Sequence, residues 1–115
     1  MNAEFGGKQK FDTGATRDMS DDKIDYEGFI SPLVVEAFGE YMHRARHTDA
    51  GLRDSDNWQK GIPISVYMKS MLRHMMSVWL AHRKGTQCSM DDLMGLKFNV
   101  DGMILEEIKL RNGNS

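Results

Sequence analysis

A single long segment near the middle of the chain most constrains the fold. Residues 62–88 contain no carboxylate, two histidines and four cations: Lys69, Arg73, Arg83 and Lys84. Most of this segment reads as one helix, ISVYMKSMLRHMMSVWLAHR. Such a helix would be apolar around most of its circumference, which is typical of a central helix in a bundle. Its cations are suited to binding phosphate, but a basic helix between acidic segments also serves solubility by pairing charges.

Helical periodicity continues on both sides of this segment. Ser31 and Pro32 favour the start of a first helix, whose apolar spacing extends to about His47. The central helix is predicted from about Pro63 to the residue before Gly85. A third helix is predicted to begin at Ser89 and to end near residue 111, with an inward stripe of Leu93, Leu96, Val100, Met103 and Ile104.

The sequence therefore predicts an all-α fold, a small bundle of about three main helices. No stretch has the alternation typical of β-strands. Residues 1–30 are polar and aperiodic, so we expect an extended or mobile N-terminal arm, followed by one all-α domain over residues 31–111. Because three short helices enclose little core, we expect a homo-oligomer in which a partner chain completes the bundle.

Composition excludes several broad classes of protein. A net charge of −2 is not that of a general nucleic-acid binder, which is strongly basic. Cys88 is the one cysteine, so no intramolecular disulfide forms, and this favours a reducing compartment. The first ten residues lack the apolar core of a signal peptide, and no apolar run approaches the ~18 residues of a membrane span. We expect a cytoplasmic protein without a membrane or nucleic-acid partner.

Three polar residues on the last two helices are candidates for a metal site. Asp92 and Asn99 are seven residues apart and face the same side of a helix. One carboxylate and one amide can bind Mg²⁺, which keeps several waters. Asp92 can instead cap its helix, and His74 can be either a general base or a hydrogen-bonded core histidine.

A second group of residues is suited to binding a substrate. Arg53, Lys60 and Arg73 can form a phosphate clamp, because arginine bonds two phosphate oxygens at once. Arg53 can instead pair with a neighbouring aspartate in the same loop. Trp58 lies in that polar loop, where an aromatic side chain either packs onto the body or stacks on a ligand.

Three stretches of the chain resemble a known family. GATRDMSDDKIDYEGFISPLVVEAFGEYMHRAR, LRDSDNWQKGIPISVYMKSMLRHMMSVWLAHR and DDLMGLKFNVDGMILE are similar to a phage-type small domain, the N-terminal domain of dATP/dGTP diphosphohydrolases. The resemblance covers roughly residues 13–108. Its most specific parts are Gly14-Ala-Thr-Arg-Asp18, Asn57-Trp-x-Lys-Gly61, Ser70-x-x-Arg73-His74 with Trp79, and Asp92 followed by Phe98-Asn99.

The resemblance implies a relation to the all-α MazG-like nucleotide pyrophosphohydrolases. Those enzymes hydrolyse a nucleoside triphosphate to the monophosphate and pyrophosphate with Mg²⁺, so a purine dNTP is the implied substrate, with Mg²⁺ or Mn²⁺ as cofactor. In this interpretation Asp92 and His74 are catalytic and bind the metal together with Asn99. The residues expected to bind the substrate are Arg53, Trp58, Lys60 and Arg73.

The MazG-like metal motifs, ExxE and ExxD, are only partly present. Asp92 and Asn99 keep the expected spacing, but Ser89 stands in place of a glutamate, and Glu36 and Glu40 are four residues apart rather than three. Two alternatives therefore stay open. One is a non-catalytic nucleotide-binding or assembly module of a phage nucleotide-metabolism protein. The other is a nucleic-acid accessory protein that uses the basic helix.

Overall fold

The computed structural model describes residues 8–18 and 22–113, and the predicted all-α class is confirmed. Residues 1–7 and 19–21 of the predicted arm lie outside the described residues. The described residues up to Val34 and those from Val35 onward form two compact units. The helices are α1, Tyr26–Phe29; α2, Pro32–Ala45; α3, Ile64–Lys84; and α4, Met90–Arg111.

The N-terminal unit contains a short hairpin that the sequence did not predict. Strand β1, Lys8–Lys10, pairs antiparallel with β2, Thr16–Asp18. Gly14 in the connecting turn has φ +89°, a conformation that glycine adopts without strain. These short strands have no apolar alternation, so periodicity could not identify them. The helical turn α1 follows, and the Asp25 side chain accepts a hydrogen bond from the Gly28 amide at 2.9 Å.

A second hairpin connects α2 to the following loop. Strand β3, His47–Thr48, pairs antiparallel with β4, Gly51–Leu52. The Thr48 hydroxyl donates to the Gly51 carbonyl at 2.7 Å, and Gly51 has φ +117°. The hairpin replaces the last residues predicted for the first helix. After it, a 3₁₀ turn over Asn57–Lys60 leads into α3.

Helices α3 and α4 form an antiparallel pair joined by a tight connection. At the end of α3, Gly85 adopts the left-handed conformation, and the Thr86 amide donates to the Ala81 carbonyl at 2.9 Å. This is the Schellman pattern that ends many helices at glycine. Ser89 then caps α4 by accepting a hydrogen bond from the Asp92 amide at 3.0 Å. Both ends agree with the boundaries predicted from the sequence.

The face of α4 that meets α3 differs from the predicted inward stripe. His74 contacts Asp92, Ser70 contacts Asn99, and the Tyr67 ring lies against Gly102. The buried residues of α4 are Met94, Gly95, Asn99 and Gly102. The apolar residues Leu93, Val100 and Ile104 of the predicted stripe are instead exposed. The prediction that these three residues face inward is therefore wrong within a single chain.

Helix α2 runs antiparallel to α4 along another of its faces. Arg44 forms an ion pair with Asp91 at 2.8 Å, and the Lys97 ammonium lies 4.6 Å from the centre of the Phe38 ring. Among the described residues, the buried hydrophobic side chains are Tyr67 and Met94, so the apolar core is small. No helix in the described part of the chain combines the length and apolar character that crossing a bilayer requires.

Candidate functional site

A cavity of about 430 Å³ lies where α2, the loop that follows it and the α3–α4 pair converge. Its size is within the range of about 300–1,000 Å³ typical of small-molecule sites. Side chains from four segments line it, so the fold and not any single motif creates it. The lining residues are Gly39, Tyr41, Met42, His43, Ala45, Arg46, Arg53, Asp54, Ser55, Asn57, Trp58, Ile62, Ser70, His74, Phe98 and Asn99.

A buried amide contributes to the wall on the α3–α4 side. Asn99 is 3% exposed, and its Nδ2 donates to the Gly95 carbonyl at 2.7 Å and to the Ser70 hydroxyl at 3.1 Å. These two bonds use both protons of the amide nitrogen. The Oδ1 atom accepts no hydrogen bond from the described residues. Asn99 lines the cavity, and its Oδ1 has acceptor capacity that these bonds do not use.

An aromatic wall adjoins this amide. Trp58 in the 3₁₀ turn packs edge-to-face on Phe98, with ring centres 5.9 Å apart, and Phe98 packs in the same way on Tyr67 at 5.8 Å. The Lys109 ammonium anchors the turn to α4 by donating to the Gln59 carbonyl at 2.7 Å. The two expected roles of Trp58 are thus compatible, because it packs onto the body and also lines the cavity.

Two arginines, Arg46 and Arg53, also line the cavity. The backbone of Arg53 donates to the Arg46 carbonyl, and the Arg46 Nε donates to the Arg53 carbonyl, each at 2.8 Å. The hairpin of β3 and β4 therefore fixes the two residues side by side. Among the described residues, neither guanidinium forms an ion pair, although Asp54 also lines the cavity. The alternative role of Arg53, an ion pair with a neighbouring aspartate of its loop, is not found among the described residues.

A histidine and an aspartate are paired beside the cavity. The Nδ1 of His74 lies 3.0 Å from Asp92 Oδ1, and the Ser89 hydroxyl donates to Asp92 Oδ2 at 3.0 Å. The hydrogen bond from His74, followed by that from Ser89, lowers the pKa of the Asp92 carboxyl. The His74 ring also fits against Gly95, where an added Cβ would lie 2.6 Å from Nε2. Of the pair, His74 lines the cavity, whereas Asp92 lies outside the lining and contacts the His74 ring.

The structure brings only two of the three predicted Mg²⁺ or Mn²⁺ ligands, His74 and Asp92, into direct contact. Both oxygens of Asp92 already accept hydrogen bonds from side chains. Seven residues of helix separate Asp92 from Asn99 by about 10 Å along the axis, so one ion would need both side chains at full reach. In residues 8–18 and 22–113, no three His, Cys, Asp or Glu side chains cluster as a metal site.

The other predicted residues divide between the cavity and the surface. Lys60 lies outside the cavity lining, 3.8 Å from Asp54, and Arg73 is exposed outside it as well. The predicted three-cation clamp is therefore not assembled in this structure. Arg46 takes the place expected of the second cation. It was missed because the sequence predicted it in the last turn of the first helix, where no motif marked it, whereas α2 ends at Ala45.

Several further side chains of the cavity were also missed. Tyr41 and His43 come from the last turns of α2, and Asn57 precedes Trp58 in the loop. Burial raises the pKa of the Tyr41 hydroxyl, and the nearby Asp91 carboxylate raises it further. Asn57 and Ser70 belong to the motifs that carry the resemblance, so these two had a signal in the sequence. In comparisons with protein-family models, curated proteins and solved structures, no match to this chain was found.

Proposed function

We propose that the cavity binds a purine deoxynucleoside triphosphate. The observation that carries this proposal is the convergence of an arginine pair, an aromatic wall and a buried amide on one cavity of about 430 Å³. A nucleotide presents the three matching chemistries: phosphates, a planar base and polar groups on the base edge. The resemblance of the sequence to dATP/dGTP diphosphohydrolase domains supports the same ligand class independently of the geometry.

The phosphates would meet Arg46 and Arg53. Guanidinium groups bond phosphate oxygens in pairs, and these two form no ion pair with another described residue. His43, in the last turn of α2, also lines the cavity and adds a third side chain with a nitrogen donor. Asp54 is the one carboxylate among the lining residues, so the positive charge exceeds the negative charge there.

The base would occupy the end of the cavity formed by Trp58 and Phe98. Aromatic side chains stack on nucleobases, with a contribution of about 1–3 kcal/mol for each stacked base. The free Oδ1 of Asn99 would accept a hydrogen bond from an amino group on the base edge. Adenine and guanine both carry such a group, so this contact alone selects neither of them.

Hydrolysis is the second candidate function. A water would attack phosphorus, break one P–O–P linkage and yield the monophosphate and pyrophosphate. The favouring observation is the His74–Asp92 pair, because a histidine oriented by a carboxylate is a common general base. Against it, the His74 Nε2 edge faces Gly95, and the glutamates of the ExxE and ExxD motifs are missing. A binding module therefore fits the geometry better.

A phage-encoded nucleotide-binding protein would act where deoxynucleotides are made and used. We therefore propose the cytoplasm as its location, which is the interior of the host cell if a phage encodes it. The single cysteine, half-buried Cys88, is compatible with this proposal.

The test measures binding and turnover separately. Calorimetry with each of the four dNTPs gives affinity, and pyrophosphate release with Mg²⁺, Mn²⁺ or a chelator gives activity. We expect binding of dATP or dGTP in the absence of divalent metal, and loss of that binding in Arg53→Ala. Absence of binding of every dNTP would overturn the proposal. Metal-dependent pyrophosphate release that disappears in Asp92→Asn would instead favour the hydrolase function over the binding module.

A further inference from the structure

The 3₁₀ turn that carries Trp58 has little internal support. It consists of four residues, Asn57–Lys60, and hydrogen bonds in a 3₁₀ helix have poorer geometry than those in an α-helix. Its N-cap residue, Asp56, makes no side-chain capping hydrogen bond. The ion pair between Lys60 and Asp54 stays within the loop, is 3.8 Å long and is exposed, so it adds little. The position of the turn therefore depends on its contacts with the helices.

Two contacts join this turn to α4. The Trp58 ring packs on Phe98, with ring centres 5.9 Å apart, and the Lys109 ammonium donates to the Gln59 carbonyl at 2.7 Å. In the part of the chain that the structure describes, the Lys109 bond is the one hydrogen bond between the turn and a helix. Gln59 directly follows Trp58 in the chain. The ring of Trp58 is therefore held by Phe98 and its backbone by Lys109.

The Lys109 ammonium is directed at this carbonyl and not at the carboxylate beside it. Glu106 lies one turn earlier on α4, and its Oε2 atom is 3.1 Å from the ammonium nitrogen. This oxygen is buried, yet it accepts no hydrogen bond from the described residues. A buried carboxylate oxygen without a donor is costly, so its presence in a folded protein requires a reason. Glu106 supplies the opposite charge for a partly buried ammonium whose hydrogen bond goes to the turn.

We propose that Lys109 is a positioning residue for the aromatic wall of the cavity. By binding the Gln59 carbonyl, it holds the 3₁₀ turn and the Trp58 ring in place before a nucleotide arrives. The identity of the ligand rests on the proposed function, in which Trp58 and Phe98 meet the base. A ring that is already ordered does not have to lose its freedom when the base binds, so affinity for the base is higher.

The arginines of the cavity do not depend on this anchor. The hairpin of β3 and β4 fixes Arg46 and Arg53 to each other, and Lys109 contacts neither of them. Loss of the Lys109 ammonium should therefore weaken the binding of a ligand that has a base and leave the binding of a bare phosphate chain unchanged. A general loss of folding would weaken both, so the comparison distinguishes positioning from stability.

The first test observes the Trp58 ring and needs no nucleotide. The sequence has two tryptophans, so in a Trp79→Phe background the fluorescence comes from Trp58 alone. Lys109→Met keeps the apolar stem and removes the ammonium. We expect its emission to shift to longer wavelength and its quenching by acrylamide to increase. Arg111→Met is the matched control, because Arg111 pairs with Glu107 on the same helix and its side chain is 76% exposed. Unchanged fluorescence in Lys109→Met, or an equal shift in Arg111→Met, would overturn the proposal.

The second test compares two ligands by calorimetry of the full chain without divalent metal. The ligands are dATP or dGTP, which have a base, and inorganic tripolyphosphate, which has none. In Lys109→Met we expect the dissociation constant of the dNTP to rise at least about 3-fold, because the ring must now be ordered on binding. The dissociation constant of tripolyphosphate should stay that of wild type, and Arg111→Met should change neither.

An unchanged dNTP affinity in Lys109→Met, or equal losses for both ligands, would overturn the proposal. A wild type that binds no dNTP would instead contradict the proposed function, and the fluorescence of Trp58 would still decide whether Lys109 positions the ring. Lys109→Gln replaces Lys109→Met if circular dichroism shows that the latter is unfolded. Its amide is compatible with the nearby Glu106 carboxylate but its side chain is one atom shorter, so we expect the same fluorescence shift and the same selective loss of dNTP affinity.

Discussion

The ring of Tyr67 lies directly on the backbone of Gly102, in the space that a side chain at residue 102 would occupy. Tyr67 is 2% exposed and is the largest fully buried side chain among the described residues. Burial raises the pKa of its hydroxyl, and the nearby Glu106 carboxylate raises it further. The closest approach of α3 and α4 therefore depends on a glycine in the middle of a long helix.

We expect Gly102→Ala to destabilise the protein by about 1–3 kcal/mol, although alanine is by itself the better helix former. The added methyl would overlap the Tyr67 ring, which has no room to move. Gly39→Ala is the matched control, because Gly39 is also helical and a Cβ there has nothing within 4 Å. That control should gain about 0.5–1 kcal/mol. Urea denaturation of both variants measures the difference, and equal changes would contradict the packing argument.

This contact also explains where sequence reasoning failed on α4. The sequence predicted the apolar stripe beginning at Leu93 as the inward face. The structure uses Gly95, Asn99 and Gly102 as the inward face, because small residues allow the rings of α3 to approach the α4 backbone. Periodicity gives the existence and the ends of a helix correctly, but cannot distinguish burial within the chain from exposed apolar surface.

Arg53→Ala should weaken dNTP binding at least about 10-fold, because the cavity loses one of the two guanidiniums suited to its phosphates. Arg73→Ala is the control: it removes the same charge from a site outside the cavity. Calorimetry at one fixed salt concentration separates a local effect from a change in overall charge. Equal losses in both variants would show that the nucleotide does not bind in this cavity.

The cavity was only partly predictable, because the fold and not a sequence pattern brings some of its residues together. Trp58, His74 and Asn99 have unusual side chains for their positions, so the sequence identified them. Arg46 and Arg53 meet only because the short hairpin between them closes, and no periodic pattern indicates that hairpin. The predicted cations Lys60 and Arg73 had suitable charge but lie where the helix geometry directs them outward.

Acid should remove the stabilisation that Asp92 contributes. Because the folded-state pKa of Asp92 lies below its ordinary value of 3.8, its contribution is fully present above that value and is lost as pH falls through the lower folded-state pKa. The free energy of unfolding of wild type and Asp92→Asn should therefore differ at pH 7 and converge below the ordinary aspartate range. A difference that stays constant down to pH 2 would contradict this role.

Gly95→Ala tests whether the same aspartate positions His74. A Cβ at residue 95 would lie 2.6 Å from the His74 Nε2 atom, so the ring must move, and its hydrogen bond to Asp92 must lengthen or break. We expect the free energy of unfolding to fall by about 1–3 kcal/mol from overpacking.

A double-mutant cycle with Asp92→Asn makes the test specific. If the displaced ring no longer reaches Asp92, the second substitution should cost much less in the Gly95→Ala background than in wild type. Additive losses would show that the His74–Asp92 bond survives the added methyl, and that the glycine is required only for close helix packing.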